Sequence, residues 1–131
     1  MATHFADTLV VATGSFTETS SLTTATSTTL FVAPTDCTLI GLELTFSTAA
    51  GGNSTLTVTH ETGTQAPGAG TTTMSGSFNL NATANTAQSA TLSSTTSVLT
   101  LNKGDRLSAL FANAIQSSAG ITLTMLFTGA P

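Results

Sequence analysis

Residues 31–46, FVAPTDCTLIGLELTF, leave few ways to fold. A short apolar run, Leu30-Phe31-Val32, stops at Ala33-Pro34, and Pro34-Thr35-Asp36 form a turn cluster. Apolar and other residues then alternate. Ile40, Leu42, Leu44 and Phe46 fall on one side, and Leu39, Gly41, Glu43 and Thr45 on the other. Side chains on a strand alternate faces, so a period of two predicts a strand with one buried face. At roughly ten residues it is long for a strand, and it is predicted to be the central one.

The same alternation returns along the chain. The N-terminal stretch Thr3 to Thr17 holds Leu9-Val10-Val11 and Phe16, and reads as one strand or as two broken at Gly14. Glu18 to Thr29 is a Ser/Thr-rich run, either a linker or a loop between strands, and the first strand is either part of the sheet or a docking arm. Thr28 to Val32 is a further strand. Leu56, Val58 and His60 share one face of Thr55 to Glu61, and the Ala49–Ser54 turn cluster predicts a hairpin joining this strand to the central one. Thr62 to Thr73, with Ala66-Pro67-Gly68-Ala69-Gly70, is a loop. Met74, Gly76, Phe78 and Leu80 alternate as one strand, Ser89 to Leu92 is a weak one, and Val98 to Leu101 is short. Asn102-Lys103-Gly104-Asp105 is a tight turn in which Gly supplies the positive φ. Leu107, Ala109 and Phe111, then Ile121, Leu123, Met125 and Phe127, mark the last two strands.

No segment of useful length has helical period. About eight or nine strands with regular turn signals predict a single all-β domain over residues 1–131, a sandwich or barrel, with residues 1–27 as N-terminal arm plus Ser/Thr-rich loop. Its expected core is Ile40, Leu42, Leu44, Phe46, Leu56, Val58, Phe78, Ile121, Leu123 and Phe127.

The charge content narrows the partners. Charged residues make up 6% of the chain, two basic against six acidic, for a net charge of -4. No basic patch exists to neutralise phosphates, so neither nucleic acid nor an anionic membrane is an expected partner. Ser and Thr supply roughly a third of the residues, and Thr favours strands. Hydroxyls desolvate more cheaply than charges. A surface this poor in charge, with mean hydropathy +0.32, is therefore read as partly an interface with other subunits.

Cys37 is the single cysteine and has no partner for an internal disulfide. No Lys, Arg or His flanks it, so it reads as a buried structural thiol. Met1 to Val11 lacks the basic start and long apolar run of a signal peptide, and no stretch reaches the length of a membrane span. The expectation is synthesis and retention in a cytoplasm unless a larger particle carries the chain out.

Chemistry is hard to find. Asp7, Glu18, Asp36, Glu43, Glu61 and Asp105 are scattered. Glu43 and Glu61 are the pair that a hairpin would bring face to face, and two solvated strand residues is the plainer reading. His4 and His60 are far apart and form no metal-ligand spacing with Cys37. His60 lies on an apolar stripe and reads as a satisfied edge or core histidine. The many hydroxyls lack an adjacent base other than His60. No glycine-rich phosphate loop precedes a helix. Asn53-Ser54-Thr55 and Asn81-Ala82-Thr83 match the glycosylation pattern, which a Ser/Thr-rich chain meets by chance. Trp and Tyr, the usual platforms for sugar stacking, are absent. No catalytic, metal or cofactor residue is assigned.

FVAPTDCTLIGLELTF, THETGTQAPGAGTTTMSGSFNLNATANTAQSATL, LTLNKGDRLSALF and the closing ITLTMLF together resemble the small jelly-roll decoration (cement) proteins of tailed-bacteriophage capsids. The resemblance covers Leu30 to Phe127. Its most particular pieces are Phe31-Val32-Ala33-Pro34 leading to Cys37, the Gly63 to Gly70 loop, and Leu101 to Leu107. The last, with Gly104-Asp105, also resembles the strand turn of trimeric jelly rolls of the complement-component and tumour-necrosis-factor type. The resemblance implies a jelly roll that trimerises and sits outside the shell at three-fold and quasi-three-fold positions. There it braces neighbouring copies of the major capsid protein, without enzyme activity or cofactor. The expected location is the outer surface of a virion assembled in the host cytoplasm. Residues before Leu30 carry no match. Termini are free to form arms, so Thr3, His4, Phe5 and Asp7 are named as capsid contacts. A glycan- or receptor-binding domain of a phage fibre is the alternative, and an enzyme with an unrecognised site is a third.

Overall fold

The computed structural model describes residues 27–112, 118 and 120–129, together with the backbone of residues 9–16. Its long strands are β1 (Leu9–Phe16), β2 (Ser27–Val32), β3 (Cys37–Thr45), β4 (Thr55–Glu61), β11 (Arg106–Ala112) and β12 (Ile121–Gly129). Between β4 and β11 run six two-residue strands: β5 (Thr71–Thr72), β6 (Met74–Ser75), β7 (Phe78–Asn79), β8 (Gln88–Ser89), β9 (Thr91–Leu92) and β10 (Thr100–Leu101). A 3-10 turn at Thr96–Val98 precedes β10, and no α-helix occurs among the described residues.

One sheet runs β1-β12-β3-β10, with β8 also on β3. The other runs β2-β11-β4-β5, with β7 also on β4. All pairings are antiparallel. The chain therefore moves from the first sheet (β1) to the second (β2), back to the first (β3) and again to the second (β4, β5, β7). It returns for β8 and β10, crosses for β11 and ends on β12. With the short pieces grouped, this is the eight-position, two-sheet winding of a jelly roll. β3 lies inside its sheet, as its length and alternation predict.

The two inner faces close on one core. β3 supplies Cys37, Leu39, Leu42 and Leu44, β4 supplies Leu56 and Val58, and β12 supplies Ile121, Leu123, Met125 and Phe127. Phe31 of β2 stacks on Phe127 across the sheets, with ring centroids 4.3 Å apart and planes 19° apart. Nine of the ten expected core residues are buried; Ile40 is not, with 42% of its surface exposed. The reason is a bulge. Leu126 pairs with Gly41 and Phe127 with Leu39, so Ile40 is the extra residue and the alternation changes phase across it. Cys37 and Leu39 point inward before the bulge, and Leu42, Leu44 and Phe46 after it.

Three other expectations change. β3 and β4 are not a hairpin, since they lie in opposite sheets and the Phe46–Ser54 segment is a crossing. Glu43 and Glu61 therefore do not face each other: Glu43 is exposed opposite Ser89 and Thr124, while Glu61 is buried in the other sheet. The Met74 to Leu80 alternation is two strands, not one. The chain breaks at Gly76 (φ +75): β6 before it pairs with β9, and β7 after it pairs with β4. At the N-terminus, β1 is one strand that passes through Gly14.

Candidate functional site

Polar side chains gather at one end of the sandwich, where the β2–β3, β4–β5 and β10–β11 connections meet. The Asn102–Asp105 turn is tied to Ala33, whose N–H donates to Asp105 O at 2.8 Å and whose carbonyl accepts from Gly104 N at 2.8 Å. Lys103 N donates to Asp36 Oδ1 at 2.8 Å, and Asp105 Oδ2 accepts from Asn102 N at 2.9 Å. His60, 8% exposed, bridges this turn to the 3-10 turn. Its Nδ1 lies 2.9 Å from Val98 O and its Nε2 lies 2.9 Å from Asp105 Oδ2. Val98 O can only accept, so Nδ1 is the donor there. This is the satisfied core histidine expected from its place on an apolar stripe.

The Thr62–Gly70 connection forms a strap folded back over the outer face of the second sheet. Glu61 belongs to the outward series of β4, yet it is fully buried because the strap returns across it. Its carboxylate accepts from the Thr59 and Ser108 hydroxyls and, at 3.2 Å, from Gly70 N. Gly70 passes so close that a Cβ there would lie 1.9 Å from His60 O. Gly68, at φ +84, leaves room only for Ser27 and Leu110 of the paired strands β2 and β11. Arg106 grips the far side. Its Nη1 donates to Gly63 O at 2.9 Å and its Nη2 to Gln65 O at 2.8 Å, a two-pronged use of the guanidinium. Thr62 to Pro67 remain exposed above these anchors.

The opposite end closes differently. Ala50 N donates to Leu80 O, Leu80 N to Ser54 O and Asn85 N to Phe46 O, at 2.8–2.9 Å, and the Asn81 amide donates to Ala50 O. No charged side chain takes part there among the described residues.

Among the described residues no pocket is found and no three His, Cys, Asp or Glu side chains gather as metal ligands. His60 and Asp105 are joined, but His60 has its other nitrogen on a carbonyl, with no hydroxyl nucleophile among its hydrogen-bond partners. Thr3, His4, Phe5 and Asp7 lie outside the described residues. The strap anchors escaped the sequence reading. The sequence holds only the scarcity of charges as a hint; that Glu61 and Arg106 stand directly opposite each other on β4 and β11 is a matter of strand register.

Cys37 opens β3 and is buried. Burial pushes its thiol up from the ordinary value, and the charges of Asp36 and Asp105 act in the same direction. The thiolate is the reactive form, so Cys37 is expected to resist iodoacetamide at pH 8 in the folded protein and to react fully in denaturant. Mass spectrometry of the two samples checks this, and rapid native alkylation would contradict the burial. The fold keeps a proton that the unfolded chain gives up at alkaline pH, so this group lowers stability as the pH rises above the ordinary thiol value.

No protein-family model and no curated protein matches the sequence. Among solved structures, the chain is similar to one in the cyanophage Pam1 capsid asymmetric unit, with TM-score 0.62 and 18% identity over 100% of this chain and 91% of that one. It is also similar to a chain in the structure of infectious bursal disease virus, Gx strain, with TM-score 0.47 and 20% identity. That match covers 95% of this chain and 33% of the other. At 18% identity, what the cyanophage chain shares with this one is the fold, a jelly roll traced over nearly the whole of both chains.

Proposed function

We propose that this protein is a capsid decoration (cement) protein, which seats as a trimer on the outer surface of a phage head and stabilises it. The observation that carries the reading is the end-to-end likeness to a jelly roll of comparable size described as part of a cyanophage capsid asymmetric unit. The motif resemblance between Leu30 and Phe127 and the low surface charge support it. Such a protein has to hold a repeating protein surface, which calls for area, not a pocket or a catalytic set. In a C₃ ring the same pair of patches is used three times. Three copies that engage together multiply a weak single contact. With Lys103 and Arg106 as the only Lys and Arg, the grip on the shell rests on neutral packing, which salt screens little. The N-terminal residues Thr3, His4, Phe5 and Asp7 are proposed to reach the shell as an arm.

The test uses heads produced without this protein, with the purified chain added back. The expected result is density on the outer shell, greater resistance to heat, and retention in high salt with release in denaturant. Light scattering of the free protein is expected near three times 13.1 kDa. Heads that are equally stable with and without it, and show no added outer density, would overturn the reading in favour of a fibre domain.

A further inference from the structure

The two ends of the sandwich offer an internal comparison. One is closed by backbone hydrogen bonds and asparagine amides. This fold evidently does not need charged groups to fasten its loops. At the other end a fully buried Glu61, a buried His60–Asp105 pair and both prongs of Arg106 are committed to loop positions. Burying such groups is costly, and a satisfied buried network rigidifies whatever it holds. Of these groups, Glu61 holds Gly70 N and Arg106 holds the Gly63 and Gln65 carbonyls, so the strap is fixed at both sides while its Thr62–Pro67 segment stays exposed. Loops held by a rigid scaffold are the usual carriers of recognition, and a loop already ordered loses little entropy on binding.

We propose that the Thr62–Pro67 strap is the preformed surface by which this protein docks on the shell, an inference that rests on the function proposed above. The partner it fits is an uncharged patch of the shell protein. Thr62, Gly63, Thr64, Gln65, Ala66 and Pro67 carry no charge, and the Gly63 and Gln65 carbonyls are already occupied by Arg106. The strap therefore offers small side chains and hydroxyls that are cheap to desolvate, and no group that selects phosphate or an ion. The strand topology points to the same end. Leu9 pairs with Thr128, and Gly129 pairs with Cys37 beside Asp36, so β1 begins at the strap end of the first sheet.

The experiment measures binding of the full chain to heads made without it. Thr64→Glu places a charge on the exposed strap without touching an anchor. Thr83→Glu does the same at the opposite end, where Thr83 is also exposed. Arg106→Lys keeps the charge but loses the fork that holds two carbonyls. Thermal unfolding is recorded for each and is expected to change little for the two Glu variants. Thr64→Glu is expected to weaken binding roughly thirty-fold and Arg106→Lys roughly ten-fold, with Thr83→Glu close to wild type. Wild-type binding by Thr64→Glu and Arg106→Lys would overturn the strap as docking surface while leaving the decoration reading intact. Loss confined to Thr83→Glu, or equal loss in both Glu variants, would overturn it as well. Failure of the unmodified chain to bind any head would overturn both.

Discussion

Phe127→Ala is expected to lower unfolding free energy by about 4 kcal/mol, within the range for emptying a buried aromatic site. The ring is fully buried in β12 and stacks on Phe31 of the opposite sheet, so its removal opens a cavity and breaks a contact between the two sheets. It also sits at the bulge, opposite Leu39. The neighbouring residues make the expectation sharper. Leu42→Ala is expected to cost about 3 kcal/mol and Ile40→Ala no more than about 0.5 kcal/mol, because Ile40 is the outward residue of the bulge. Urea unfolding of the three variants checks the order. An Ile40→Ala loss equal to that of Leu42→Ala would mean that the alternation runs unbroken through β3 and that the bulge is misplaced.

Gly70→Ala is expected to cost about 3 kcal/mol, the upper end of what overpacking usually does. The added methyl would lie 1.9 Å from His60 O and 2.9 Å from Glu61 Oε2. Backbone cannot yield as a side-chain tip does, so the strap must lift. Lifting it removes the Gly70 N–H from the Glu61 carboxylate and begins to expose a group that is otherwise fully buried. Gly52→Ala is the control. Nothing lies within 4 Å of a Cβ there and its φ is an ordinary one, so the change is expected to be neutral or slightly stabilising. Chemical denaturation gives the two energies, and limited proteolysis gives the location. Faster cleavage within the strap is expected for Gly70→Ala alone. Equal stability of the two variants would show that the strap does not lie against β4.

Alternation along β3, β4, β11 and β12 was enough to place strands and most of the core. Side-chain direction in a strand follows from local geometry, and burying one face needs only that every second residue be apolar. The charge-poor composition carries an expectation of the same local kind, since two Lys or Arg side chains leave little to neutralise phosphates. What local pattern does not carry is which strands pair. A Gly-rich segment after β3 is compatible with a tight hairpin or with a crossing, and packing of two sheets over one core selected the crossing. One extra residue at Ile40 is invisible in an apolar run, since only the partner strand β12 reveals that Leu39 and Gly41 face consecutive residues. Glu61 shows the same limit. Its position in β4 marks it as outward, and only the return of the strap, held by Arg106 and by the absence of a side chain at Gly70, makes that outward position an interior one. Period is set by bonds between neighbours in sequence, whereas pairing, register and burial are set by groups far apart along the chain, and those enter only when it folds.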